Sequence, residues 1–251
     1  MTKKIIDISS ISHTFTDGYM GINNISLSIF KGEFIILAGK NGSGKTTFLK
    51  HLNGLVMPDS GVITVNGQEV KKNLIQTRKT IGMVFQDADT QIVGDTVFDE
   101  AGFGLENLKF NRTEINSKVT KVLKDLSLFH LKERAPFTLS GGEKKKLAIA
   151  GVLVMDPQVI VFDEPFSNLD YPGTAQVLTT IIDLNLSGHT IIIATHDVET
   201  VIYNATRIII MENGQVKEDG NPADVVRHLE SFGIKEPCSL KLGFGIKPWL
   251  F

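Results

Sequence analysis

A single cysteine, Cys238, and a single tryptophan, Trp249, stand in a chain of 251 residues. One cysteine closes no internal disulfide, so a reducing compartment is expected. An excess of either charge is also missing, since 26 Lys and Arg against 28 Asp and Glu give a net charge of −2. No global basic field is there to hold nucleic acid or an anionic membrane surface. No stretch nears the ~18 consecutive apolar residues of a membrane span. The opening Met1-Thr2-Lys3-Lys4-Ile5-Ile6-Asp7 meets an acid before any signal-peptide core can form. Internal repeats, low-complexity tracts and obvious linkers are lacking too. Membrane contact is therefore expected only through a partner.

What is present is ordinary globular composition, 42% hydrophobic and 22% charged. A chain of this length can bury about 70–75% of its unfolded surface and needs no staples. Ile25–Ile29 alternates apolar and small polar residues, the period of a half-buried strand. Phe34-Ile35-Ile36-Leu37-Ala38 is a continuous apolar run, as expected of a strand covered on both faces. Val62–Val65, Ile81–Phe85, Val159–Phe162 and Thr190–Ala194 read as further strands. The Asn213-Gly214 turn predicts a closing pair, Ile208–Ile210 with Gly214–Val216. From about Asp87 to Pro157 the period turns helical, with Val119, Val122, Leu123 and Leu126 on one stripe and Leu147, Ile149, Ala150 and Leu153 on another. Strand alternating with helix implies a parallel sheet with helices on its faces.

Gly39-Lys40-Asn41-Gly42-Ser43-Gly44-Lys45-Thr46 fits the phosphate-loop pattern G-x-x-x-x-G-K-[ST], followed by Thr47. It lies between an expected strand and an expected helix, the context the pattern requires. Its glycines let backbone N–H groups turn towards phosphate oxygens, Lys45 brings a point charge and Thr46 a hydroxyl for Mg²⁺. A second constellation, Phe162-Asp163-Glu164-Pro165, ends a buried strand in two carboxylates, where ligands bind in open α/β sheets. Asp163 can hold Mg²⁺ through water, and Glu164 can orient or deprotonate a water for in-line attack on a γ-phosphate.

Leu139-Ser140-Gly141-Gly142-Glu143 opens a strong helical run. Ser140 and Glu143 have capping-box spacing. The two glycines also bare the N–H groups of a helix start, a second anion site. One nucleotide has no need of two helix starts from one chain, and a second copy can supply one.

With these residues the sequence resembles the ATP-binding-cassette ATPase family over nearly its whole length. Gly39–Thr46 resembles its Walker A loop, Phe162–Pro165 the end of Walker B with Glu164 as catalytic glutamate, and Leu139–Glu143 the signature. The resemblance implies that Gln86 is the Q-loop glutamine that senses Mg²⁺ and the transport partner. It makes Ser167-Asn168-Leu169-Asp170 the D-loop, and His196 the switch histidine that contacts the γ-phosphate. Phe15 becomes the aromatic that stacks on adenine, and Ser140, Gly141 and Gly142 the residues that reach the nucleotide of a second cassette. Lys144-Lys145-Lys146 stands where the family often has Gln and Arg; lysine keeps the charge and loses the bidentate fork. The implied fold is α/β: a P-loop NTPase core with a mostly parallel sheet, an N-terminal antiparallel β-subdomain and an inserted α-helical subdomain. Residues 1–235 would form the ATPase domain, with the insertion at about 87–157, and 236–251 a C-terminal tail.

The segments Asp89–Val93, Thr96-Val97 and Phe103–Leu108, with Ala148–Leu153, resemble the energy-coupling-factor and cobalt/nickel importer branch, although Glu100 and Gly102 stand where that branch more often has Asp and Ala. This implies an ATP- and Mg²⁺-dependent ATPase at the cytoplasmic face of the cell membrane. A second ATPase subunit would close a homodimer or heterodimer. A transmembrane coupling protein and a substrate-binding membrane protein would complete the importer of a vitamin or of cobalt/nickel ions. A groove from the Q-loop to Asn107 would take the partner's coupling helices. The alternatives are a soluble cassette ATPase of translation or DNA maintenance, and a regulatory module without turnover. The tail carries Leu240, Leu242, Phe244, Trp249, Leu250 and Phe251. It reads either as an end strand or frayed terminus, or as a dimer contact covering a sticky apolar end.

Overall fold

The computed structural model describes residues 3–250; Met1, Thr2 and Phe251, which the readings of both termini include, lie outside the described residues. Strands β1 (Lys4–Thr14), β2 (Met20–Phe30), β4 (Ser60–Val65) and β5 (Gln68–Glu69) form an antiparallel sheet in the order β2-β1-β4-β5. The first two strands run longer than the short segments expected, because register shifts in their pairing absorb the breaks in alternation. Strand β3 (Phe34–Ala38) leaves this unit for the centre of a second sheet. With β6 (Ile81–Val84), β7 (Val159–Asp163), β8 (Thr190–Thr195), β9 (Arg207–Glu212) and β10 (Gln215–Gly220) it forms the order β10-β9-β3-β8-β7-β6. All neighbours there are parallel except β10, which pairs antiparallel with β9 at one edge.

The continuous apolar runs follow from burial on both faces of the second sheet. Phe34, Ile36 and Ala38 of β3 join one core, while Ile35 and Leu37 join the other. The same division holds in β7, with Ile160 and Phe162 on one side and Val159 and Val161 on the other. One core lies between the two sheets and takes Phe48, Leu49 and Leu52 of α1 (Lys45–Leu52). Helix α2 (Leu74–Thr80) then leads into β6.

The other core is helical. Between β6 and β7 the chain forms α3 (Ala88–Gln91), α4 (Val97–Asn107), α5 (Arg112–Asp125) and α6 (Gly141–Leu153). Val119, Leu123 and Leu126 are buried from the first expected stripe, and Leu147, Ile149 and Ala150 from the second; Val122 and Leu153 are partly covered. Helix α7 (Tyr171–Leu186) connects β7 to β8. It starts earlier than its apolar spacing suggests, because Asp170 caps it by accepting the Gly173 N–H and Pro172 fits its first turn.

After β10 come the short helix α8 (Pro222–Val225), a 3₁₀ stretch at Val226–Phe232 and the short helix α9 (Cys238–Lys241). The tail is therefore no end strand. Leu240, Ile246, Trp249 and Leu250 pack partly buried on the helical core, while Leu242 and Phe244 stay exposed. No described helix is long and apolar enough to cross a membrane.

Candidate functional site

The carboxyl ends of β3, β7 and β8 converge on one cavity of about 450 Å³, lined by side chains from five segments of the chain. The loop after β3 is shaped by glycine geometry. Gly42 and Gly44 adopt φ of 79° and 102°, the left-handed region that costs glycine little. A Cβ on Gly44 would lie 2.7 Å from the Gly21 carbonyl oxygen. The loop is also tied to its neighbours, since the Gly214 N–H donates to the Ser43 carbonyl at 3.0 Å and the Asn23 N–H to Gly214 at 2.8 Å. The hairpin turn after β9 thus props the loop open towards the cavity.

Lys45 begins α1, and its ammonium donates to the carbonyls of Gly39 at 2.7 Å and Lys40 at 3.1 Å. It also lies 3.8 Å from Glu164 Oε1. Burial lowers its pKa, opposed by the charges of Glu164 and Asp163. The Lys40 side chain runs towards Gly233, so Lys40 offers the site its backbone alone. Neither Gly39 nor Lys40 lines the cavity itself, whereas Asn41 through Thr47 all do.

Thr46 Oγ1 donates to Asp163 Oδ1 at 3.0 Å, which places two hard oxygens side by side. Burial raises the Asp163 pKa, against the lowering effect of that hydrogen bond. A buried carboxylate beside a hydroxyl, with Gln86 on the same wall, suits Mg²⁺, which takes one or two protein oxygens and completes its shell with water and phosphate. An all-protein cage is not built, for no cluster of three His, Cys, Asp or Glu suited to a metal occurs among the described residues.

Glu164 holds φ of 45°, a left-handed value for a residue with a Cβ, and its N–H donates to the Ala194 carbonyl at 2.9 Å. Such strain of order 1–3 kcal/mol persists where surrounding structure enforces it, and it gathers at functional sites. Oε1 accepts from His196 Nδ1 at 2.9 Å, and Oε2 from Thr195 Oγ1 at 3.3 Å. A carboxylate only accepts, so Nδ1 carries the proton and Nε2 is left free on the exposed side of the ring.

Phe15 closes the far end. Its ring lies against Gly21, where a Cβ would come within 2.5 Å of the ring edge. Tyr19 stacks nearly parallel to it, 6.4 Å between centroids, and the Tyr19 hydroxyl donates to the Gly42 carbonyl at 3.3 Å. The structure therefore brings together Phe15, Asn41, Gly42, Ser43, Gly44, Lys45, Thr46, Thr47, Gln86, Asp163, Glu164 and His196. Tyr19, Gly21 and Thr195 are the functional candidates that sequence reasoning passed over. The one local signal near Tyr19 is the Asp17-Gly18 turn that immediately precedes it.

Ser140, Gly141 and Gly142 do not line this cavity. Ser140 caps α6 in a full capping box with Glu143. A Cβ on Gly141 would touch Leu169, and one on Gly142 the backbone of Gly173, so the helix start packs against the loop that leads into α7 and the first turn of that helix. The cavity thus gathers a glycine-rich loop with its lysine, a hydroxyl beside a buried carboxylate, a second carboxylate and an aromatic pair at the opposite end.

Residues 22–167 match the family described as ABC transporter. The chain is 39% identical over 249 residues to the energy-coupling factor transporter ATP-binding protein EcfA2 of Methanospirillum hungatei, covering 97% of this chain and 63% of that longer protein. It is 37% identical to the energy-coupling factor transporter ATP-binding protein EcfA of Methanococcus maripaludis, covering 90% of this chain and 83% of that one. Among solved structures, CbiO1 of Clostridium perfringens, described as part of the ABC transporter complex CbiONQ, superposes with a TM-score of 0.80 at 34% identity, covering 91% of this chain and 95% of that one.

Proposed function

The chain belongs to the ABC transporter ATP-binding family, and from that premise we propose that it is the ATP-hydrolysing subunit of an energy-coupling-factor importer. Two such subunits meet head to tail, as a homodimer or with a paralogue. Each ATP lies between Gly39–Thr47 of one subunit and Ser140–Gly142 of the other. The observation that carries this reading is the separation of the two anion sites. The N–H groups of Gly141 and Gly142 head α6, where no preceding turn can accept them, yet they stand outside the cavity that their own phosphate loop lines.

In this reading the N–H groups of the Asn41–Thr46 loop and the Lys45 ammonium bind the phosphate chain, and Phe15 stacks on adenine. Thr46, Asp163 and Gln86 would hold Mg²⁺, which when bound would offset charge on the β- and γ-phosphates. Glu164 orients a water in line with the γ-phosphate and accepts its proton, while His196 fixes the Glu164 carboxylate through Nδ1–H and, when Nε2 also carries a proton, donates from it to a γ-phosphate oxygen. Loss of the γ-phosphate removes the contact that holds the partner's Gly141 and Gly142, and the pair opens. ATP and ADP thereby differ in affinity for the closed state, which any nucleotide-driven switch requires.

The cargo fits a vitamin or a cobalt or nickel ion, and a separate membrane polypeptide recognises it. A transmembrane coupling protein sits against the helical subdomain, which places this chain at the cytoplasmic face of the membrane. Two measurements test the reading. Subunits held apart by dilution should lose ATP turnover, and undiminished turnover would overturn the shared site. Isolation of the chain from membranes should bring the coupling protein with it; recovery free of any membrane protein would favour a soluble ATPase.

A further inference from the structure

The run Lys144-Lys145-Lys146 would pass for a solvated face, yet the three ammonium groups go to three different places. Lys144 reaches Asp89 Oδ1 at 2.6 Å, on α3. Lys146 donates to the carbonyl of Leu126, just past the end of α5, at 3.1 Å. Lys145 is nearly fully buried, and its ammonium donates to the carbonyl of Gln86 at 2.6 Å and that of Phe85 at 3.2 Å.

A buried ammonium is costly unless it is paired and hydrogen-bonded. Here its acceptors are two successive backbone carbonyls in a stretch that leaves β6 and has no ladder of its own. The remaining hydrogen bonds of that stretch are local: the Phe85 N–H donates to Gln91 Oε1 at 3.0 Å, and Asp87 caps α3. Among the hydrogen bonds of residues 85–87, the Lys145 ammonium is therefore the tie to α6, and it reaches Gln86, which lines the cavity. Lys145 lies four residues along α6 from Gly141, just over one turn, so the helix start and the Gln86 carbonyl share one rigid strut. Burial lowers the Lys145 pKa, opposed by the charges of Asp87 and Asp163.

We propose that Lys145 is a positioning residue that locks Gln86 to the helix headed by Ser140–Gly142, so that a shift of Gln86 towards a bound nucleotide moves the face offered to the second subunit. The Lys144–Asp89 pair is the exposed outer point of the same latch. A lysine suits the task because two successive backbone carbonyls need a donor with several N–H groups. The proposal rests on the reading of Ser140–Gly142 as the partner-facing anion site, and its first measurement is independent of that reading.

The first measurement is amide exchange in the nucleotide-free full chain. Lys145→Met fills the same space without donors; it is expected to speed exchange across residues 85–92 at least tenfold while β3 and α1 keep wild-type protection. Lys145→Arg, which retains donors, should return exchange to within about threefold. The second measurement is steady-state turnover with fluorescent-nucleotide binding: Lys145→Met should keep nucleotide affinity within about twofold and lose kcat at least tenfold, and Lys145→Arg should recover most of it. A purely structural role would instead lower both together, with exchange rising throughout the helical subdomain, and that pattern overturns the proposal. So does wild-type exchange over 85–92 in Lys145→Met. Should Lys145→Met fail to fold, Lys145→Gln decides on the same readouts, since it keeps N–H donors but reaches one carbonyl at most; unchanged exchange and kcat there overturn the latch. Failure of the shared-site reading shows separately, as turnover that survives dilution while exchange over 85–92 still depends on Lys145.

Discussion

His196 Nδ1 lies 2.9 Å from Glu164 Oε1, joining the ends of β8 and β7 across the mouth of the cavity. Thr195 holds the other carboxylate oxygen from the adjacent position on the chain. Glu164 is thus oriented by two donors from one strand end while its own backbone is held in a left-handed conformation. A carboxylate so fixed can act on a water at a defined place, the role proposed for it above. Glu164→Gln keeps the size and one acceptor but cannot take a proton. It is expected to retain ATP binding, lower kcat by 10² or more, and accumulate an ATP-bound dimer visible by size exclusion. Wild-type turnover in that variant would remove Glu164 from the role.

Lys45 is held by its own loop through two carbonyls and faces Glu164 from inside the cavity. Its third N–H is what a phosphate oxygen can take. Lys45→Ala removes the one cation of the cradle and leaves Asp163 and Glu164 facing an anionic ligand. Nucleotide affinity should fall at least 10²-fold, read by titration with a fluorescent ATP analogue, and unchanged affinity would refute the loop assignment.

Gly44 tests the cradle without touching a charge. Its φ of 102° disfavours any L-residue, and a Cβ there would meet the Gly21 carbonyl, which is backbone and cannot swing away. Gly44→Ala is expected to shift the loop and lose ATP binding, while the sheet cores, which do not contain Gly44, keep a cooperative thermal transition. Normal ATP affinity in that variant would show that the loop tolerates displacement.

Much of this was legible because burial on both faces writes an unbroken apolar run, as in Phe34–Ala38 and Thr190–Ala194. The phosphate loop and the Asp163-Glu164 pair follow directly from the ends of such strands. What stayed hidden depends on distant partners. Glu100 stands out in the sequence only as a Glu where the resembled branch more often has Asp, but it is buried and accepts the N–H groups of Val93 and Gly94 at 2.7 and 2.8 Å, clamping the segment after α3. The lysine run after the signature shows in the sequence only a kept charge and a lost bidentate fork; the carbonyls that Lys145 and Lys146 reach lie far along the chain. Gly21 carries no local turn signal; its reason is the Phe15 ring laid against it from across the β1–β2 hairpin.

His51 gives the fold a predicted pH dependence. It is buried on α1, with Nδ1 2.6 Å from the Thr47 carbonyl and Nε2 left without a partner. A carbonyl only accepts, so Nδ1 carries the proton of a neutral ring. Burial lowers its pKa, aided by His13 and opposed by the Thr47 carbonyl and Asp59. The native state thus stays neutral while the unfolded chain takes a proton near its ordinary value of about 6.5. Stability should fall as pH drops below that value and level off beneath the lowered native pKa. The slope approaches about 1.4 kcal/mol per pH unit for one proton. Thermal melts from pH 8 to 5 should show a shallower fall in His51→Gln than in the parent, and equal slopes would mean that His51 titrates alike in both states.

The last prediction uses the one tryptophan. The Trp249 ring lies 5.1 Å from that of Tyr171, the first residue of α7, directly after Asp170, which caps that helix. The segment before it, Ser167–Asp170, packs against the start of α6 through Leu169 and Gly141. The start of α6 abuts Leu169, and Trp249 packs on Tyr171, one residue beyond the cap that follows. ATP added to Glu164→Gln should therefore change tryptophan emission, with no change in Lys45→Ala. Deleting 236–251 removes the signal and uncovers the core beneath Leu240, Ile246, Trp249 and Leu250. At about 1 kcal/mol for each partly buried side chain, that deletion should lower Tm by roughly 8–16 °C at 2–4 °C per kcal/mol. If the shortened chain melts at the parent temperature yet no longer dimerises with ATP, the tail serves the second subunit rather than its own core; if it melts early but still dimerises, the tail is packing alone.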